Sequence, residues 1–347
     1  MTIAAGQATV AFTGETQTRY QLGLSENPFP PLPSVLHAVD EVLEHANRYP
    51  EFLPHRLPQL IAERVGVPTE QVTVGSGATG VAMQIMHAVL APGDEMAFCS
   101  PNFDGYPFMA GIAGVPTVAV PLDQHGCQDL SALADAVNER TGLVVVCRPH
   151  NPTGTLVDAE ELDHFLDRIP DRVVVILDEA YAEFLIDQRD RIDGVQMIAN
   201  HPNVLVLHTF SKAYGLAGLR IGYAIGALDL VARVRRWQLP FGMHASAIAA
   251  VEASYAAEFE LRSRVKQITA ERIMLRDALL RSGIAVPVSY ANFLYLPGSG
   301  IAGALQTAGI EAKAFPDGSA RIAVGDPAAG RAVLTALNVA WPLSNLA

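Results

Sequence analysis

The stretch Val204-Leu205-Val206-Leu207-His208-Thr209-Phe210-Ser211-Lys212-Ala213-Tyr214-Gly215-Leu216-Ala217-Gly218-Leu219-Arg220-Ile221-Gly222-Tyr223 runs from a short apolar strand into hydroxyls, small residues and two cations. Val204–Leu207 reads as a strand buried on both faces. A lone lysine is ordinarily a solvated surface charge. Lys212, however, follows such a strand closely and shares its loop with Arg220. The Thr209 and Ser211 hydroxyls and the planar Arg220 fork suit an anionic ligand such as a phosphate. A partly desolvated lysine beside other cationic groups has a depressed pKa and becomes a usable amine nucleophile.

Working outward, the same alternation of apolar strand and amphipathic helix extends from about residue 72 to 226. The strand candidates are Val72–Val74, Glu95–Cys99, Pro116–Val120, Leu143–Cys147, Val173–Leu177, Val204–Leu207 and Gly222–Ile225. Thr79–Leu90, Leu130–Arg140 and Ala159–Arg168 have helical patterning between them. This predicts a mostly parallel sheet flanked by helices. A helix-rich stretch over 245–282 leads into strands near Phe293–Leu296 and Ala320–Val324, which predict a smaller α+β domain. Upstream, the first 20 residues read as a loose arm. Prolines 28, 30, 31 and 33 impose an extended segment, and Ser34 is placed to cap a helix over Ser34–His45. The expected organisation is an arm at 1–33, a large α/β domain at 34–236 and a small C-terminal domain at 237–347.

The bulk composition narrows the class. The chain has 347 residues, half of them hydrophobic, and a net charge of −12. That charge argues against nucleic acid, whose affinity comes largely from Lys and Arg on phosphates. The apolar runs are a few residues each, far short of the roughly 20 needed to span a bilayer. The first positive side chain is Arg19, so the basic start of a secretory signal is missing. Cys99, Cys127 and Cys147 form no metal-ligand spacing and fit a reducing compartment. The reading is a cytoplasmic protein with no metal site, no membrane and no nucleic-acid partner.

In open parallel sheets the ligand sits at the carboxyl ends of the strands. Asp178-Glu179-Ala180-Tyr181 follows one strand and Arg148-Pro149-His150-Asn151-Pro152-Thr153-Gly154 another. Alone, the first reads as a helix cap or salt-bridge partner and the second as a turn. The loop Gly75-Ser76-Gly77-Ala78-Thr79-Gly80 opens a helix and can present backbone N–H groups to a phosphate. It matches neither the nucleotide-triphosphate loop nor the dinucleotide fingerprint.

Together these pieces resemble the fold type I pyridoxal-phosphate (PLP) enzymes, and within them the class I/II aminotransferases. The resemblance is strongest to the histidinol-phosphate aminotransferase branch, including its actinobacterial aromatic aminotransferase relatives. It rests on Ser25-Glu26-Asn27-Pro28, Asn47-Arg48-Tyr49-Pro50-Glu51, Asn151–Gly154, Asp178–Tyr181, Thr209–Tyr223 and Arg321-Ile322-Ala323-Val324-Gly325, in family order along nearly the whole chain.

The resemblance implies that Lys212 carries the cofactor as a Schiff base and shuttles the substrate proton. Asp178 would hold the pyridine nitrogen protonated. Asn151 and Tyr181 would bond the phenolic oxygen, and Phe103 would stack on the ring. Ala78 and Thr79 amides, Thr209, Ser211 and Arg220 would hold the phosphate. Tyr49 would reach the neighbouring subunit's phosphate, which implies a homodimer with shared active sites. Arg321 and Asn27 would bind substrate, an amino donor in one half-reaction and a 2-oxo acid such as 2-oxoglutarate in the other.

Two histidines depart from the family pattern, His150 before Asn151 and His244 near the substrate segment. The first function implied is histidinol-phosphate transamination in histidine biosynthesis. Two alternatives share the same cofactor machinery: an aromatic amino-acid aminotransferase and a PLP-dependent decarboxylase of a phosphorylated amino acid. A PLP-binding regulatory module would need a basic DNA-binding domain, for which an acidic chain of this length has no room.

Overall fold

The computed structural model describes residues 19–339. All but the last two residues of the expected loose arm therefore lie outside the described part. In chain order the strands are β1 (Tyr20–Gln21), β2 (Val72–Ser76), β3 (Glu95–Ser100), β4 (Thr117–Pro121), β5 (Thr141–Cys147) and β6 (Val174–Asp178). They continue with β7 (Val204–Thr209), β8 (Ile221–Gly226), β9 (Phe293–Leu296), β10 (Ile310–Glu311), β11 (Lys313–Ala314) and β12 (Ala320–Ala323).

Seven of these form one sheet in the order β2-β8-β7-β6-β5-β3-β4, at the places the alternation predicts. All neighbours pair in parallel except β8, which runs antiparallel to both β2 and β7. The two-residue period sorts the side chains between faces. Val144, Val146, Val175, Leu177, Val204 and Val206 join one apolar cluster. Leu143, Val145, Val174, Ile176, Leu205 and Leu207 join another. Helices Pro33–Leu43, Arg56–Val65 and Ala159–Arg168 contribute Val35, Ile61 and Phe165 to the first cluster. Helices Gly77–Val89, Gly105–Ala113 and Leu228–Arg235 contribute Ile85, Tyr106 and Val231 to the second. Both faces are covered, which is why these strands lack polar alternation.

A three-stranded antiparallel sheet, β11-β12-β9, packs with Leu275, Leu279 and Val333 in a separate apolar cluster. The start of the chain belongs to this part: β1 pairs in parallel with β10, and Leu22 lies in the same cluster. Helix Ala245–Ala256, expected with the C-terminal region, places Ala247, Ala250 and Val251 in the core of the large sheet instead. We therefore put the division of the chain near Ala257 rather than at residue 237.

Two helix boundaries differ from expectation. The first helix starts at Pro33, after Leu32, because proline at the first helical position surrenders an N–H that has no partner there anyway. Ser34 thus lies inside the turn and is not the N-cap residue. The helix expected over Leu130–Arg140 stops at Asp135. Asn138 diverts the chain into a turn, accepting the Arg140 N–H at 2.9 Å and donating its own backbone N–H to Thr141 Oγ1 at 3.0 Å. That local competition for backbone groups ends helices.

Strand β8 meets the start of helix Gly77–Val89 unusually closely. A Cβ on Gly222 would lie 2.3 Å from Ala78 N and 2.4 Å from Gly77 C, backbone atoms that cannot rotate away. A Cβ on Gly218 would meet nothing within 4 Å. We expect Gly222→Ala to destabilise the cofactor-free protein by about 1–3 kcal/mol, the cost of overpacking, with Gly218→Ala close to neutral. Urea unfolding of both variants checks this. Equal midpoints would mean that the helix start is not held against β8.

Candidate active site

The strand order reverses between β3 and β5, which places a crevice at their carboxyl ends. A cavity of about 370 Å³ opens there, lined by residues that follow β3, β5, β6 and β7, among them Phe103, Asn151, Asp178 and Lys212. Alternation selects its face. Asp178 ends β6 on the side of Tyr106 and Leu207, whereas Glu179 turns to the opposite side. There it helps line a second cavity of about 620 Å³, to which none of the expected site residues contributes.

Lys212 Nζ donates to the carbonyls of Leu24 and Ser25, each at 3.1 Å, and lies 5.7 Å from the centre of the Tyr181 ring. Burial, reinforced by the Arg321 guanidinium, brings the ammonium down to about 8, while Glu26 and Asp178 pull the other way. Asp178 accepts from the Tyr106 hydroxyl at 2.5 Å and from the Ala180 N–H at 3.0 Å. Burial raises its carboxyl above the usual range despite these bonds and the Lys212 charge. A cationic ring N–H would relieve that burial.

A second group of donors gathers between β7, β8 and the start of helix Gly77–Val89. Thr209 Oγ1 lies 3.0 Å from Ser211 Oγ, and Arg220 Nη2 lies 3.4 Å from Thr79 Oγ1. Gly77 has φ +74, and a Cβ there would strike Arg220 Nη2 at 2.2 Å. Glycine at this position thus allows the guanidinium to lie against the helix N-terminus, where the first N–H groups have no intrahelical acceptor. Hydroxyls, a guanidinium and free backbone N–H groups, with no carboxylate among them, suit a phosphate dianion.

At the other end, Arg321 on β12 is buried, with Nη1 donating to Asn151 Oδ1 at 2.5 Å and Nη2 to the Gly23 carbonyl at 2.6 Å. Its Nε is buried without a partner, an N–H left for a ligand acceptor. Lys313, directly opposite Arg321 in the β11–β12 register, also lines the cavity and is paired with Asp104.

The structure therefore brings together Lys212, Asp178, Tyr181, Asn151, Phe103, Ala78, Thr79, Thr209, Ser211, Arg220 and Arg321 around one cavity. Asn27 is not on its wall. Its amide donates to the Lys212 and Ala213 carbonyls at 3.0 and 2.9 Å and accepts the Phe29 N–H at 3.0 Å, so it holds the lysine's backbone instead of facing a substrate. Tyr49 stands apart, 83% exposed and packed on Phe241. His150 bonds to Thr153 Oγ1 at 2.8 Å, and burial takes it down to about 3, so it serves the turn as a neutral ring. His244 bonds to Ser246 Oγ at 3.0 Å, also off the cavity wall. Reading the residues missed Tyr106, Lys313 and Phe315. Tyr106 had a signal, since it lies in the first turn of the helix after β3, at the same carboxyl end of the sheet where Asp178 ends β6.

With this geometry in view, comparison with known proteins is specific. Residues 19–315 match the family described as aminotransferase class I and II. An aromatic amino acid aminotransferase of Streptomyces coelicolor is 43% identical over 88% of this chain and 86% of its own length. One from Cutibacterium acnes is 46% identical, covering 80% and 78%. Histidinol-phosphate aminotransferase of Sinorhizobium meliloti, solved with pyridoxal-5'-phosphate, superposes with a TM-score of 0.85 at 27% identity, covering 92% of this chain and 90% of that one.

An amine must be unprotonated to attack an aldehyde. Because the Lys212 ammonium is lowered to about 8, uptake of pyridoxal phosphate by the cofactor-free protein should accelerate as pH rises through that value, not near the ordinary lysine value of 10.5. Arg321→Met removes a cation that lowers Lys212, so the midpoint should move upward. Stopped-flow absorbance across pH checks both. An unmoved midpoint would mean that Arg321 does not act on the lysine.

Proposed function

The chain belongs to the class I and II aminotransferases, enzymes that use pyridoxal phosphate to pass an amino group between an amino acid and a 2-oxo acid, and on that premise we propose that it takes aromatic amino acids as donors and 2-oxoglutarate as acceptor. The observation that carries this reading is the substrate end of the cavity. There Arg321, whose Nε has no partner, lines the cavity together with Leu24 and Phe315, and Phe315 is edge-on to Tyr295 at 5.5 Å. A carboxylate bound to Arg321 directs an aromatic side chain along that wall. The sequence resemblance put the histidinol-phosphate branch first. Sequence similarity to proteins named for aromatic amino acids supports the other choice.

The donor set described above fits the cofactor. Bound pyridoxal phosphate supplies an electron sink for the pair released when the substrate Cα loses its proton. Thr209, Ser211, Arg220 and the Ala78 and Thr79 amides would hold its phosphate, and Phe103 would cover the ring. Asp178, fixed by Tyr106, would accept the pyridine N–H. Asn151 has its oxygen committed to Arg321, which leaves its NH₂ to donate to the phenolic oxygen beside Tyr181. Lys212 Nζ would take the proton from the substrate Cα, and the Asn27 bonds to the Lys212 and Ala213 carbonyls would fix the backbone that carries that amine.

Tyr49 fits a homodimer in which it would complete the partner's phosphate site. Tyr49, Phe52 and Leu239 are 83%, 61% and 72% exposed. Tyr49 and Phe52 both pack on Phe241, and a cluster of exposed aromatic rings supports that reading.

Two measurements test the proposal. Phenylalanine, tyrosine and tryptophan should each exceed histidinol phosphate in kcat/KM by at least tenfold with 2-oxoglutarate as acceptor. The reverse ranking would restore the histidinol-phosphate reading. Asp178→Asn should lower kcat by about 10² or more, in line with losing a preorganised electrostatic partner, while cofactor content stays near one per chain. Unchanged turnover would reduce Asp178 to a structural role.

A further inference from the structure

We infer that Lys313 is a specificity residue that receives the distal carboxylate of the dicarboxylate substrates, glutamate and 2-oxoglutarate, and that Asp104 is its positioning residue. The inference rests on the transaminase reading of the same cavity.

Three observations carry it. First, Lys313 and Arg321 are direct partners across the antiparallel β11–β12 pair, so they share a face, and both line the cavity. Like charges directly opposite on neighbouring strands repel one another, an arrangement that an anion between them would relieve. Second, Asp104 occupies the N-cap position of helix Gly105–Ala113 but makes no side-chain capping bond. Its carboxylate is used on Lys313. Third, the remaining cations are committed: Lys212 to the chemistry, Arg220 to the phosphate cradle and Arg321 to the carboxylate that every substrate carries. Of the four cations on the cavity wall, that leaves Lys313 for a second carboxylate.

Lysine suits a site that must accept two kinds of side chain. Its ammonium has three donors, so one can stay on Asp104 while another meets a carboxylate. The pair lies at the mouth, with side chains 37% and 65% exposed, where such a bridge is weak and easily rearranged. For an aromatic substrate the head stays on Asp104 and the methylene stem packs beside the ring. Phe315, whose ring centre is 5.9 Å from Lys313 Nζ, supplies the apolar partner.

The test compares wild-type holoenzyme with Lys313→Met, Lys313→Arg and Asp104→Asn. It measures kcat/KM for 2-oxoglutarate and for phenylpyruvate as acceptors, and inhibition constants for glutarate and 3-phenylpropionate. Lys313→Met should lower efficiency with 2-oxoglutarate roughly 10- to 100-fold, as for a lost charged hydrogen bond, and weaken glutarate similarly. Effects on phenylpyruvate and 3-phenylpropionate should stay within about 5-fold, the range of a lost cation–π or stem contact. Lys313→Arg should restore most of the dicarboxylate preference, and Asp104→Asn should lose part of it. Equal losses for both classes, or no loss, would overturn the inference. If aromatic amino acids proved poor donors for wild type, the proposed donor would fall while the inhibitor comparison still decided Lys313.

Discussion

The site depends on one constraint, the in-register parallel pairing of β5, β6 and β7. Pairing Cys147 with Asp178, and Asp178 with Leu207, makes three strands end side by side. The side of the sheet that Asp178 takes then follows from counting in twos. Asp178 faces the cavity because Val174 and Ile176 face the apolar layer on that side. A slip of one residue would turn Glu179 inward and Asp178 away. The buried valines and leucines that hold the register thus also aim the carboxylate.

The second organising feature is electrostatic. Lys212, Arg220, Arg321 and Lys313 border one cavity, which would repel itself were each not assigned a separate acceptor. Arg220 is held by the Ala217 carbonyl and Thr79, Arg321 by Asn151 and Gly23, Lys313 by Asp104, and Lys212 by two carbonyls of the N-terminal segment. Most of these acceptors are neutral, so the excess positive charge stays available to anionic ligands. Burial, and after it the Arg321 charge, keeps the Lys212 amine readily deprotonated.

Much of this was legible in the residues, for a physical reason. Strands buried on both faces leave unmistakable apolar runs, and a parallel sheet has chemistry only at one end, so the residues following each run were the ones to read. What could not be read was orientation and partnership. Asn27 sits in a motif near the site, yet which way its amide points depends on a backbone turn far along the chain. Tyr49 lies off the cavity of a single chain, and no pattern within one chain tests a contact between two. Tyr106 and Lys313 were missed because their importance lies in pairings with Asp178 and Arg321 that only tertiary geometry makes. Ser34 and Asn138 show the local limit: both favour helix ends, but the neighbouring proline and the competing side-chain bonds decide where the end falls.

The N-terminal segment is held from far along the chain. Ser25 adopts φ +53, its carbonyl accepts from Lys212 and from Asn292, and the Gly23 carbonyl meets Arg321 across 298 positions. As the polypeptide leaves the ribosome, the large sheet can assemble once β8 has emerged, while the acceptors meant for Arg321 and Asn292 wait unpartnered. Closing so long a loop is entropically costly and slow. The catalytic pocket is therefore completed after the large sheet, when β12 arrives to meet the segment around Gly23 and Ser25.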